Sequence, residues 1–155
     1  MSQHVSGTTE EQDDTKLYTP GDPSSSASEI EVDLKLYIFV LKSLKPGKAV
    51  SQAGHAVHLI VDELATAYTT ECYETMTGKL PESIQRYRRW CSKPTKVALS
   101  ATDDQLLKLA SMPEATSIVD VEGDLNVRPG TLVCVAFRPR SSASFARITA
   151  HHKLH

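Results

Sequence analysis

Apolar and polar positions alternate along this chain in two rhythms, which divide residues 34–155 into strands and helices. LKLYIFVL (34–41) is an almost unbroken apolar run, long enough for a strand buried on both faces. Apolar residues then recur at helical spacing from about Gly47 to Ala67, which predicts a helix. The polar stretch TTECYETMTGKLPES, punctuated by Gly78 and Pro81, predicts a break. A shorter helix is expected over 82–91, carrying Ile84, Tyr87 and Trp90. TKVALSA (95–101) reads as a strand. Thr102 suits the cap of the next helix, with Gln105 completing a capping box and Leu106, Leu107, Leu109 and Ala110 forming the apolar face. TSIVDV (116–121) and TLVCVAF (131–137) are further strands, separated by turns at Gly123 and Pro129-Gly130. Ser141 to His151 suits a last helix with Phe145 and Ile148. Four strands interleaved with helices predict a single-domain, layered α/β fold.

The first predicted helix sorts its residues by face. With Lys48 set at zero and a step of about 100° per residue, Gln52 falls at about 40° and His55 at about 340°. Ala49, Val50, Ala53, Ala56, Val57, Ile60, Val61 and Leu64 fall between about 80° and about 220°, which predicts a core stripe. Lys48, Gln52 and His55 then form a polar file on the far side. An ammonium, an amide and an imidazole one turn apart are either solvated surface or one wall of an active site. His58 falls between file and stripe, so partial burial is expected.

Charge changes this picture at the N-terminus. The net charge is −2, yet residues 1–33 hold eight acids and one base, and the remainder carries a net +5. Rich in Ser, Thr, Asp, Glu and Pro, residues 1–33 have too little apolar surface to offset their ordering entropy and are read as a disordered acidic tail. The domain proper is 34–155. Its modest basic excess suits a polyanionic partner such as RNA, and equally the ordinary scatter of a small domain. Arg86-Tyr87-Arg88-Arg89-Trp90 fits either RNA contact or a short helix that buries Tyr87 and Trp90 and points its arginines to solvent. The second reading is favoured for the aromatics, and phosphate contact stays open for the arginines.

Cys72, Cys91 and Cys134 are odd in number and lack metal-ligand spacing, which suits a reduced, cytosolic setting. Cys134, in an apolar strand, is expected in the core. No apolar run reaches the length of a membrane span, and the first thirty residues lack the features of a signal peptide or organelle presequence. No membrane partner is expected. A homodimer is compatible with the chain, but oligomeric state is not legible.

PGKAVSQAGHA (46–56) resembles the G-K-x-x-x-Q-x-x-H-A signature of the type II peptidyl-tRNA hydrolases of archaea and eukaryotes. Trp90 followed by Lys96-Val97-Ala98-Leu99 resembles that family's Trp before a K-V-V-L strand. Asp103-Asp104-Gln105-Leu106 is similar to its D-E-E-x-L helix start, and Pro129-Gly130-Thr131 to its P-G-S/T turn. The ending Thr149-Ala150-His151-His152-Lys153-Leu154-His155 resembles its T-G-H-L-K-L-Y terminus. That match argues that the histidine-rich end is native rather than a purification tag. The resemblance covers residues 34–155, with the five motifs in order.

The resemblance implies a mixed four-stranded sheet flanked by helices. It also implies hydrolysis, without metal or other cofactor, of the ester joining a peptide to the terminal ribose of tRNA. Such chemistry needs an activated water and a stabilised oxyanion. Lys48, near a helix N-terminus, suits either stabilisation of that negative charge or the holding of a phosphate. Gln52 suits holding the carbonyl or water, and His55 a proton shuttle. A carboxylate is expected to orient or deprotonate the water, with Asp120 the first candidate and Glu122 or Asp124 its substitutes from the same loop. Lys45, Gly47 and Thr131 are the expected substrate-binding positions.

Two departures from the family pattern stand out. Ungapped counting from Pro129 puts the family's D-A-G-x-T acid on Val121 and its two threonines on Leu125 and Val133; a one-residue insertion restores Asp120. The family's R-x-D-L-K-M-G-K-G-K loop is shortened to Lys42-Ser43-Leu44-Lys45-Pro46-Gly47-Lys48, and its Asp becomes Ser43. An inactive relative that binds tRNA or a protein therefore stands as the alternative, and a hydrolase of another acylated tRNA as a third reading.

Overall fold

The computed structural model describes residues 33–74, 80–121, 123 and 126–155. The acidic tail lies outside them except for Asp33. At the centre is β1 (Leu34–Leu41), where every residue but Lys35 is buried. A strand covered on both faces reads in sequence as an unbroken apolar run. It pairs in parallel with β2 (Thr95–Ala101) and antiparallel with β4 (Thr131–Ser141). The edge strand β3 (Ala115–Asp120) pairs antiparallel with β4, completing a mixed sheet of order β2-β1-β4-β3.

Helices cover both faces of the sheet. Tyr37 and Phe137 are register partners on one face, and both rings meet Phe145 of α4 (Ser142–Thr149) at centroid distances of 4.9 Å. Neighbouring strand residues point to opposite faces, so Arg138 emerges on the other side. There its guanidinium pairs with Glu63 of α1 (Pro46–Glu74). Helix α1 packs across β1, β4 and β3, burying Ala49, Ala56, Ile60 and Leu64. In α2 (Glu82–Ser92), Ile84 and Trp90 are buried, and the indole N–H donates to the Thr95 carbonyl at 2.8 Å. Tyr87 stacks on Trp90 at 6.2 Å, as the helical spacing predicts. Helix α3 (Asp103–Ala110) carries the expected capping box: Gln105 N–H donates to Thr102 Oγ1, and Thr102 N–H to Gln105 Oε1.

Several expectations are corrected. Helix α1 does not stop at Ala67 but continues to Glu74. Thr69 and Thr70 return their hydroxyls to the carbonyls of Ala65 and Thr66, so these polar, β-branched residues are accommodated within the helix. Arg88 lies over the Tyr68 ring at 5.4 Å, fixing the same segment to α2. Strand β4 runs past Phe137 to Ser141, because a bulge absorbs Arg138 and Pro139 between the pairs Tyr37–Phe137 and Lys35–Arg140. Proline has no N–H to give to a ladder, and a bulge is where a strand tolerates it. Val50 and Leu107 are exposed rather than in the core. The buried positions of α1 centre near 115° rather than 150°, about 85° from Val50. By the same rotation His58 lies opposite the core and is exposed, not partly buried.

The C-terminal residues close the outer edge of β2. Leu154 bridges antiparallel to Leu99, Ser100 N–H donates to the Lys153 carbonyl and His155 N–H to the Ala98 carbonyl. The His152 ring meets Phe39 edge-on at 4.8 Å, and its Nδ1 lies 2.9 Å from the Ser100 carbonyl.

Candidate active site

Strands β1, β2 and β3 all end at one edge of the sheet, since β1 and β2 are parallel and β3 is antiparallel to β4, itself antiparallel to β1. Ligand sites of α/β sheets favour the crevice outside such carboxyl ends. Helix α1 begins five residues beyond the end of β1, and α3 begins directly after β2. Two helix N-termini therefore meet this edge. The first turn of α1 contains no acid, so nothing there offsets its positive potential.

Lys45 is exposed just before α1, and its carbonyl accepts the N–H of Ala49 at 2.9 Å. Gly47 lies in the first turn, with open space where a Cβ would point. Lys48 and His55 are exposed, and Gln52 between them is half-buried. Because the packed face of α1 centres near 115°, Gln52 stands about 75° from it. The polar file thus flanks the packed face rather than opposing it, and Gln52 is its innermost member.

On the strand side, Cys134 of β4 is level with both Val40 and Ile118. Asp120 lies two residues further on, paired with Thr131, the first residue of β4. Asp120 is 8 % exposed, whereas Val121 is 75 % exposed. A register shift between Ile118 and Val119 leaves fully buried Val133 without a pairing partner on β3. This irregularity lies outside the 121–129 stretch over which ungapped counting runs; at the strand end it is Asp120 that is buried and Val121 that is exposed.

The surroundings of Asp120 form a turn. Its Oδ1 accepts the Gly123 N–H at 3.0 Å, and its carbonyl accepts the Gly130 N–H at 2.7 Å. Thr131 is half-buried and its hydroxyl donates to the Arg128 carbonyl at 2.6 Å. Gly123 has φ +80°, and a Cβ there would lie 3.0 Å from Pro129 Cγ; Gly130 has φ +83°. Both positions need glycine. Glu122 and Asp124 lie outside the described residues.

Part of the arginine cluster departs from expectation. Arg86 is not solvated: it donates to both Glu114 oxygens at 3.0 Å, and Arg140 donates to the same carboxylate at 2.7 Å. No sequence pattern links residues 86, 114 and 140, which only the fold brings together. Arg88 and Arg89 are exposed as expected.

A mixed four-stranded sheet with helices on both faces defines a layered α/β protein, and the lysine-glutamine-histidine file enters at the end where β1, β2 and β3 terminate. Residues 34–155 match the family model of Peptidyl-tRNA hydrolase PTH2, and the chain belongs to that family. Comparison with individual curated proteins gives no match. No described helix is long and apolar enough to cross a membrane.

Proposed function

We propose that this chain hydrolyses the ester between a peptide and the terminal ribose of tRNA, releasing both. The observation that carries the reading is the entry of the Lys48–Gln52–His55 file at the sheet edge where β3 ends in buried Asp120. Water attacks the ester carbonyl carbon and a tetrahedral oxyanion forms. The ammonium of Lys48 and the N-terminal dipole of α1 stabilise that charge. Gln52, half-buried at the margin of the core, holds the carbonyl. The Asp120 carboxylate orients the water. His55 accepts the water proton and returns it to the departing ribose oxygen, which leaves with the bonding pair as the carbonyl re-forms. Lys45, the Gly47 backbone and Thr131 line the approach. The free thiols of Cys91 and Cys134 suit a cytosolic setting for this activity.

The test is release of N-blocked amino acid from N-acylaminoacyl-tRNA. Lys48→Ala is expected to lower kcat/KM about 10²-fold with little change in melting temperature, since Lys48 is exposed. Wild-type rate in that variant removes Lys48 from the mechanism.

A second reading has its own support. Asp120 Oδ1 and the Thr131 hydroxyl both serve the turn, and Val133 is buried at a position where the family pattern has threonine. Under this reading the chain binds tRNA or a protein with impaired catalysis. Tight tRNA binding without turnover supports it, and robust turnover by the unmodified chain excludes it. Varying the acyl group in the same assay distinguishes peptidyl-tRNA from other acylated tRNAs.

A further inference from the structure

At the opposite end of the sheet from Asp120, an open cleft of about 270 Å³ forms where Leu34, the first residue of β1, pairs with Ser141, the last of β4. Arg86, Arg89 and Arg140 line it together with Ser141 and Ser144, whose hydroxyl donates to the Ser141 carbonyl at 2.8 Å. The acids nearby are Glu114, shared between Arg86 and Arg140, Glu82, which meets Arg86 at 3.3 Å from a largely exposed position, and Asp33, which pairs with Lys35. Arg89 makes no ion pair among the described residues. The local balance is one positive charge in excess. The Nε atoms of Arg86 and Arg140 are buried and have no acceptor among the described residues, although buried guanidinium donors are ordinarily satisfied. Helix α4 starts here: Ser141 caps it by accepting the Ser144 N–H, and the Asp33 carboxylate accepts the Ser142 hydroxyl in its first turn at 2.9 Å.

We infer that this cleft is a phosphate-binding subsite for the backbone of the RNA substrate, remote from the scissile ester. Arginine forks match phosphate geometry and hydroxyls donate to phosphate oxygens. Strand β4 separates the cleft from Asp120 by eleven residues, or about 30 Å at a strand's rise. A folded tRNA is long enough to engage both ends, whereas its acylated 3′ terminus alone is not. The inference rests on the proposed activity only for the identity of the RNA.

Arg89→Ala is the informative variant, because Arg89 is exposed and outside the Arg86–Glu114–Arg140 network. Anisotropy of labelled deacylated tRNA against the full chain, over a salt series, reads binding without turnover. Expected is a threefold to tenfold weaker Kd and a log Kd against log salt slope shallower by about one. Hydrolysis of a short acylated 3′-terminal oligonucleotide should proceed at the wild-type kcat/KM in Arg89→Ala. Unchanged tRNA affinity and slope in Arg89→Ala overturn the subsite. Inorganic phosphate that raises the melting temperature of the wild type but not of Arg89→Ala, with tRNA affinity equal in both, assigns the cleft to free phosphate and overturns the RNA assignment. An inactive chain whose tRNA affinity still depends on Arg89 refutes the hydrolase reading and leaves the subsite standing.

Discussion

Asp120 serves the turn after β3 whatever else it does, and the two roles separate under an isosteric change. Asparagine keeps an oxygen for the Gly123 N–H but cannot carry the charge that orients a water. Asp120→Asn is therefore expected to lower kcat about 10²-fold while the urea midpoint stays near wild type. A fully active Asp120→Asn confines the carboxylate to its turn. Cys134 gives a second residue-scale prediction. Burial pushes its thiol from 9.0 up to about 12, so the folded state keeps a proton that the unfolded chain releases. Its contribution to stability is whole below pH 9 and falls as pH rises toward 12, by up to about 1.4 kcal/mol per unit. Cys134→Ala should flatten the decline in urea midpoint between pH 9 and 10.5, at a cost of about 1 kcal/mol at neutral pH. An identical alkaline slope in both proteins would assign the decline to other groups.

Among the elements, Glu114 shows best why some of the structure escapes the sequence. It has φ +61°, uncommon for a residue with a side chain, and its carboxylate gathers Arg86 and Arg140. Glu114→Gln leaves the backbone alone and removes the charge between two half-buried guanidiniums. A loss of about 2 kcal/mol is expected from denaturant unfolding, against about 1 kcal/mol for Thr102→Ala at the cap of α3. A Glu114→Gln loss smaller than that of Thr102→Ala would mean the shared carboxylate contributes little. The Thr102–Gln105 capping box was legible because both partners lie within one helical turn, so spacing alone encodes them. The Glu114 network was not, since its members are up to 28 residues from their partners and meet only after β4 and α2 pack. The end of α1 departs from the sequence pattern for a related reason: tertiary contacts at Tyr68 and hydroxyl bonds at Thr69 and Thr70 outweigh a polar composition. The Lys48–Gln52–His55 file was legible as a periodicity, but its angle to the core depended on which apolar residues the sheet covers. The strand-end acid was legible only up to a one-residue ambiguity; at that strand end Asp120 is buried and Val121 exposed.

For the molecule as a whole, the two edges of the sheet are unequal. Strand β3 forms one edge and alternates half-buried Ile118 with exposed Ser117 and Val119. The other edge, β2, is covered by residues 153–155 through two backbone hydrogen bonds, while His152 bonds the Ser100 carbonyl and packs on Phe39. An uncovered edge presents unpaired N–H and C=O groups that recruit other chains. Deleting residues 152–155 should cost about 2–3 kcal/mol, from the lost hydrogen bonds at about 1 kcal/mol each. It should also produce concentration-dependent self-association in sedimentation. His152→Ala removes the ring contacts but keeps the backbone pairing, so it should lower stability by a smaller amount and stay as dispersed as wild type. Self-association of His152→Ala to the same degree as the deletion would place the protection in the ring packing on Phe39 rather than in the strand that closes β2.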